Sequence, residues 1–280
     1  VSVRLLTAVA VVVSLLATLA FAQPALDGNR LASVSLVADT SAVAGKPFTL
    51  GVRVKIEPKW HIYWANPGEA GEATRVDFTL PPGFTVGPLQ YPTPRRIESE
   101  GPVISHGYED EVLLLATVTP PATLKTGTLV AFAAHVAWMA CDKTCLPGEG
   151  QASLTLPVAA SADAANAALF EAWRAQLPAS RHDVADVKMS GTVRPDGGQL
   201  VLSVDWKGQK PNNVAFFLPP IDNAAAAEPV PTGDGAKQSV TFDIRPFSGQ
   251  KLPAGRYDIV IGYDDANGHR RGLAVPFEVR

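Results

Sequence analysis

Apolar and polar positions alternate along much of this chain with the two-residue period of strands half buried in a sheet. Phe48, Leu50, Val52, Val54 and Ile56 fall on one face of a predicted strand, and Val34 to Val37 forms a shorter strand before it. After a break at Glu57-Pro58, Trp60, Ile62 and Trp64 continue an alternating apolar set. That alternation puts His61 and Tyr63 on the opposite face, which is expected to be solvated. Val76 to Leu80, Val112 to Val118, Thr128 to Trp138 and Ala152 to Val158 are further strand candidates. Asn66-Pro67-Gly68 and Pro81-Pro82-Gly83 supply turns between them. Short strands punctuated about every ten residues by Gly and Pro predict an antiparallel sandwich over residues 27–158.

The pattern then changes. Ser161 to Leu177 is rich in Ala, with Asp163 as a candidate N-cap, Leu169, Trp173 and Leu177 at i, i+4 spacing, and Pro178 as the stop. This predicts a short linking helix over residues 161–178. From Val184 onward alternation returns in Leu200, Leu202 and Val204, in Val240, Phe242 and Ile244, and in the runs Tyr257 to Tyr263 and Leu273 to Val279. Asp196-Gly197-Gly198 and Asn267-Gly268 are hairpin dipeptides, and Asn223 to Lys237 reads as a loop. The expectation is an all-β protein: two β-sandwich domains joined by a short helix, the second domain spanning residues 183–280.

Composition narrows the setting. The 280 residues are 46% hydrophobic and 18% charged, with a formal charge of -3, so the chain has core enough to fold and no electrostatic footprint for nucleic acid. Residues 1–22 read as an export signal, with Arg4, an apolar run from Leu5 to Leu19, and Ala20-Phe21-Ala22 as the cleavage site. No later segment has the length and apolarity of a membrane span. The expected product is a soluble periplasmic protein, in a compartment where a cysteine pair is oxidised unless something reduces it.

Only two cysteines are present, in Cys141-Asp142-Lys143-Thr144-Cys145. In an extended strand their Cα atoms would stand about 13 Å apart, beyond the reach of roughly 7 Å that a disulfide allows. Cys141 must therefore leave its strand into a turn if the pair is to close, and Asp142 and the following Leu146-Pro147-Gly148 favour turns. Closing so small a loop stabilises by only about 2 kcal/mol in the chain-entropy model. Such a ring is a poor staple but a serviceable store for two electrons. Two other readings stand beside redox use. Met139, Cys141 and Cys145, with His135 or His106, form a soft set suited to Cu(I), or the sandwiches are a scaffold whose disulfide is inert. No zinc site is expected, because a second cysteine pair is missing. Asp264-Asp265 reads as hairpin-turn chemistry in preference to a calcium site.

Several segments together resemble a known family. They are Lys59-Trp60-His61-Ile62-Tyr63-Trp64-Ala65-Asn66-Pro67-Gly68, Leu80-Pro81-Pro82-Gly83-Phe84, Gln90-Tyr91-Pro92, His106-Gly107-Tyr108-Glu109, Val136-Ala137-Trp138-Met139-Ala140-Cys141 and Cys145-Leu146-Pro147. Their order is similar to that of the N-terminal periplasmic domain of the thiol:disulfide interchange protein DsbD, and closer still to the periplasmic region of the copper-sensitivity suppressor ScsB. The resemblance covers about residues 31–157 and is weaker beyond. It implies an immunoglobulin-like domain that relays reducing equivalents through Cys141 and Cys145 as a component of protein-disulfide reduction, with no cofactor. It also implies that Cys145 forms the mixed disulfide and Cys141 resolves it. Expected partners are periplasmic thioredoxin-like proteins and a membrane electron carrier acting in trans. His106 and Tyr108 are candidates for a lid over the pair, and Trp60, Trp64 and Trp138 for shielding it or for sandwich core.

Overall fold

The computed structural model describes residues 27–280 apart from positions 99, 100, 102, 181 and 234, so the expected export signal lies outside the described residues. Ten strands come first in chain order. They are β1 (Ala32–Ala38), β2 (Phe48–Ile56), β3 (His61–Gly68), β4 (Arg75–Thr79), β5 (Thr85–Val86), β6 (Arg95–Glu98), β7 (Ile104–Glu109), β8 (Glu111–Thr119), β9 (Leu129–Cys141) and β10 (Cys145–Pro157). One sheet has the order β1-β2-β8-β5 and the other β10-β9-β3-β7-β6, with β4 pairing to β9. Their facing sides share one core. Leu50, Val52 and Val54 of β2 meet Phe132, Ala134, Val136 and Trp138 of β9, with Phe48 and Phe84 edge-on to Phe132.

The unbroken apolar run of β8 has a physical reason. Val112 to Ala116 are all fully buried, because both faces of this strand are covered. Val112 and Leu114 enter the inter-sheet core, while Leu113 and Leu115 pack on Phe170 of the helix α1 (Ala167–Arg174). This helix is shorter than the sequence predicts. Its N-cap is Asn166 in the left-handed region, whereas the Asp163 backbone is tied to Ser41 in the loop before β2. The predicted stripe is also displaced: Phe170 is the fully buried anchor, and Leu169, Trp173 and Leu177 are only partly buried around it.

Seven strands follow: β11 (Ala185–Arg194), β12 (Gly197–Trp206), β13 (Asn212–Phe217), β14 (Ala224–Ala226), β15 (Lys237–Pro246), β16 (Gly255–Asp264) and β17 (Arg270–Val279). Their order is β13-β16-β17-β11-β12-β15-β14. β17 and β11 touch through the single parallel pair Val193/Val279, and the groups on either side of that pair share one core. Leu202 and Phe242 from one group pack with Ile259, Ile261 and Leu273 from the other. The protein is thus all-β, with immunoglobulin-like sandwich architecture. The stretch read as a loop at 223–237 contains the short edge strand β14, and the Pro- and Arg-rich stretch before His106 contains β6.

A buried seam joins the two halves. Phe217 is fully buried with its ring edge-on to Trp64 and His106, and Asn66 Nδ2 donates to the Leu218 carbonyl at 3.0 Å. Arg270 is 5% exposed; its guanidinium donates to the Pro94 carbonyl at 2.7 and 3.0 Å and pairs with Asp264 at 3.3 Å. Arg95 reaches the same carboxylate at 3.2 Å. Burial pulls the Arg270 guanidinium down to about 10 despite Asp264. Burial opposes the charge on Asp264, but the Asn213 hydrogen bond and the Arg95 and Arg270 charges outweigh it, so its carboxyl lies below the ordinary value. Asp265 does the hairpin-turn work expected of it, accepting from the backbone N–H groups of Asn267 and His269.

Candidate functional site

β9 and β10 form one long hairpin, paired from Pro157/Leu129 to Cys145/Cys141. Only Asp142, Lys143 and Thr144 lie between the cysteines, and the Asp142 N–H donates to the Thr144 carbonyl at 3.2 Å. The turn brings the two Cα atoms to 4.2 Å, and the sulfurs are joined as a disulfide. The strand exit inferred from the spacing therefore occurs, and Cys145 is already the first residue of the returning strand.

The two sulfurs are not equivalent. Cys141 is 2% exposed, whereas Cys145 is exposed at the hairpin edge. The covering groups come from β3, where His61 pairs directly with Cys141. Directly paired residues of antiparallel strands project side by side on one face. One rung of the sheet therefore carries Cys145, Cys141, His61 and Glu109 in that order. Two residues along β3, the Tyr63 hydroxyl lies 3.9 Å from the Cys145 sulfur. The Tyr63 ring is seated on Gly71, where a Cβ would stand 2.1 Å from the ring, and Gly71 itself has φ +88. Burial raises the Tyr63 phenol above its ordinary value against an opposing hydrogen bond from Ser105, so it remains a neutral O–H.

His61 and Tyr63 are 4% and 1% exposed, which overturns the solvated face expected for them. Trp60 to Trp64 is an unbroken run of aromatic and apolar side chains apart from His61, and that run was the available sign of burial on both faces. Burial lowers the His61 pKa from the ordinary 6.5, against the raising influence of the Asp142 carboxylate. Its Nε2 is buried and has no hydrogen-bond partner among the described residues.

The other candidates are occupied elsewhere. His106 Nε2 lies 3.0 Å from Glu228 across the seam, its ring edge-on to Phe217. Tyr108 donates to the Pro92 carbonyl at 2.7 Å from a buried position. Trp138 stands in the inter-sheet core and donates through Nε1 to the Gly28 carbonyl at 3.2 Å. Trp64 is also in that core, and Trp60 packs at its margin. The Gly28 turn props β10 immediately after the cysteines, so closely that a Cβ on Gly148 would lie 2.4 Å from the Gly28 carbonyl oxygen. Of the soft copper set, Met139 is half-buried two residues before Cys141, and His135 is paired with Glu149. Among the described residues no group of three or more His, Cys, Asp or Glu is placed to hold a metal ion.

Comparisons with known proteins agree with this geometry. In fold the chain is similar to the N-terminal periplasmic domain of ScsB from Proteus mirabilis, with a TM-score of 0.61 at 20% identity, covering 88% of this chain and 91% of that one. A protein of unknown function from Porphyromonas gingivalis W83 aligns over 90% of this chain and 97% of its own at 10% identity, but its TM-score of 0.23 carries no weight. No curated protein matches the chain in sequence. Residues 29–157, which hold the hairpin, match the family described as thiol:disulfide interchange protein DsbD, N-terminal. The match makes this part of the chain, with Cys141 and Cys145 near its end, similar to the DsbD N-terminal domain family.

Proposed function

We propose that the protein is a periplasmic thiol-disulfide exchange protein that relays reducing equivalents through Cys141 and Cys145 to envelope partners. The observation that carries this reading is the unequal burial of the pair in a hairpin tip: one sulfur open to a visiting protein, the other enclosed. A partner thiolate attacks the Cys145 sulfur, the Cys141–Cys145 bond breaks, and its electron pair leaves on Cys141 as a thiolate. A second partner thiol then resolves the mixed disulfide and leaves the dithiol form. Run toward a target, the Cys145 thiolate attacks the target disulfide and Cys141 displaces the reduced product. Atoms and electrons balance with two thiols exchanged for one disulfide and no cofactor involved.

The match of residues 29–157 to a thiol:disulfide interchange family supports the chemistry, and the fold shared with a periplasmic domain supports the compartment. Among the described residues no helix is long and apolar enough to cross a membrane. In this reading the electrons come from a membrane electron carrier in trans, and thioredoxin-like proteins are the partners. The test is trapping. Cys141→Ser should accumulate a mixed disulfide with a thioredoxin-like partner through Cys145, and Cys145→Ser should accumulate none. Trapping by Cys145→Ser alone would reverse the roles, and a wild-type pair that exchanges with no dithiol would overturn the reading.

A further inference from the structure

His61 is a buried polar side chain on the same rung as the cysteines, and exchange chemistry at Cys145 gives it no task. It shares a rung with Cys141, it is 4% exposed, and its Nε2 has no hydrogen-bond partner among the described residues while the disulfide is closed. The groups around it are Tyr63, edge-on at 5.1 Å between ring centres, Glu109 across the β7 pairing, and Asp142 in the hairpin turn. A buried polar nitrogen left unpaired is costly, and native structures rarely keep one without a reason.

Opening of the disulfide supplies the reason. When a partner attacks Cys145, the departing electron pair lands on Cys141, which is 2% exposed and almost out of reach of water. A buried thiolate needs a hydrogen bond that solvent cannot provide. We propose that His61 provides it: the imidazole N–H donates to the Cys141 sulfur in the mixed-disulfide and dithiol states and thereby raises the reduction potential of the pair. No proton has to be transferred. When Cys141 attacks to re-form the disulfide, its charge passes to the leaving partner thiolate and the imidazole nitrogen is again without a partner. The orphaned nitrogen belongs to the oxidised state, and reduction satisfies it.

This inference rests on the exchange reading of the pair, and one experiment separates the two. The equilibrium of the full chain with glutathione is measured for the wild type and for His61→Phe, His61→Asn and His61→Gln, with thermal unfolding of each oxidised form as the check on folding. His61→Phe should shift the equilibrium about tenfold toward the disulfide, equivalent to about 30 mV for a two-electron couple. His61→Asn, polar but too short to reach the Nε2 position, should shift it likewise, which keeps the test valid if the Phe variant does not fold. His61→Gln, whose amide nitrogen takes the place of Nε2, should remain near the wild type. Wild-type potentials in the Phe and Asn variants, or equal shifts in all three, would overturn the role of His61 and leave the exchange reading standing. Failure of the wild type itself to exchange would overturn the exchange reading.

Discussion

Tyr63 and Gly71 show how closely single residues control access to the exposed sulfur. The Tyr63 ring reaches the Cys145 sulfur because Gly71 has no Cβ and sits at a positive φ that other residues tolerate poorly. Gly71→Ala should therefore displace the ring, cost about 1–2 kcal/mol of stability, and make the disulfide more open to attack. A faster reduction by dithiothreitol, together with a lower urea midpoint, is the expected outcome. His61 carries a pH signature of its own. Its folded pKa lies below the ordinary 6.5, so below that pH the unfolded chain binds a proton that the folded chain resists. Stability should fall as the pH drops from 6.5 toward the lowered folded value, and it should be fully retained above 6.5. Urea unfolding at a series of pH values should show this slope in the wild type and lose that part of it in His61→Phe.

At the scale of elements, the hairpin was legible and its surroundings less so. The Cys-x-x-x-Cys spacing demands a turn for any disulfide to form, since extended backbone cannot bring such residues together. The unbroken run from Trp60 to Trp64 signals that both faces of β3 are covered but not by what, because the cover comes from Gly71, Ser105 and the cysteines themselves. The helix followed the same logic. Its i, i+4 apolar residues were visible, but Phe170 became the anchor because Leu113 and Leu115, on the outer face of β8, needed a lid. Phe170→Ala should cost about 3–5 kcal/mol and free α1 from β8. Equilibrium denaturation measures the loss, and amide exchange in α1 should rise with it.

For the whole molecule, β3 and β7 run between the cysteine hairpin and the seam with the second half. His61 and Glu109 stand at the hairpin end, and Asn66 and His106 meet the second half. The seam is held by a charge that is expensive to bury alone: Arg270 gives its hydrogen bonds to Pro94, Asn213 and Asp264. Arg270→Met should cost about 3 kcal/mol and uncouple the halves, visible in calorimetry as a broadened or divided transition.

Taken alone, the sequence determined the all-β class, the two successive sets of strands with a helix between, and the cysteine pair as the candidate seat of the chemistry. Those features are written in local alternation, turn residues and spacing, which act over a few residues of chain. Tertiary structure alone decided which sulfur faces outward, that His61 and Tyr63 enclose the pair, and that His106 turns to Glu228 across the seam and not to the cysteines. Each of those outcomes depends on strands distant in sequence becoming neighbours in a sheet. Burial and electrostatics are properties of that neighbourhood and not of the segment that contributes the residue.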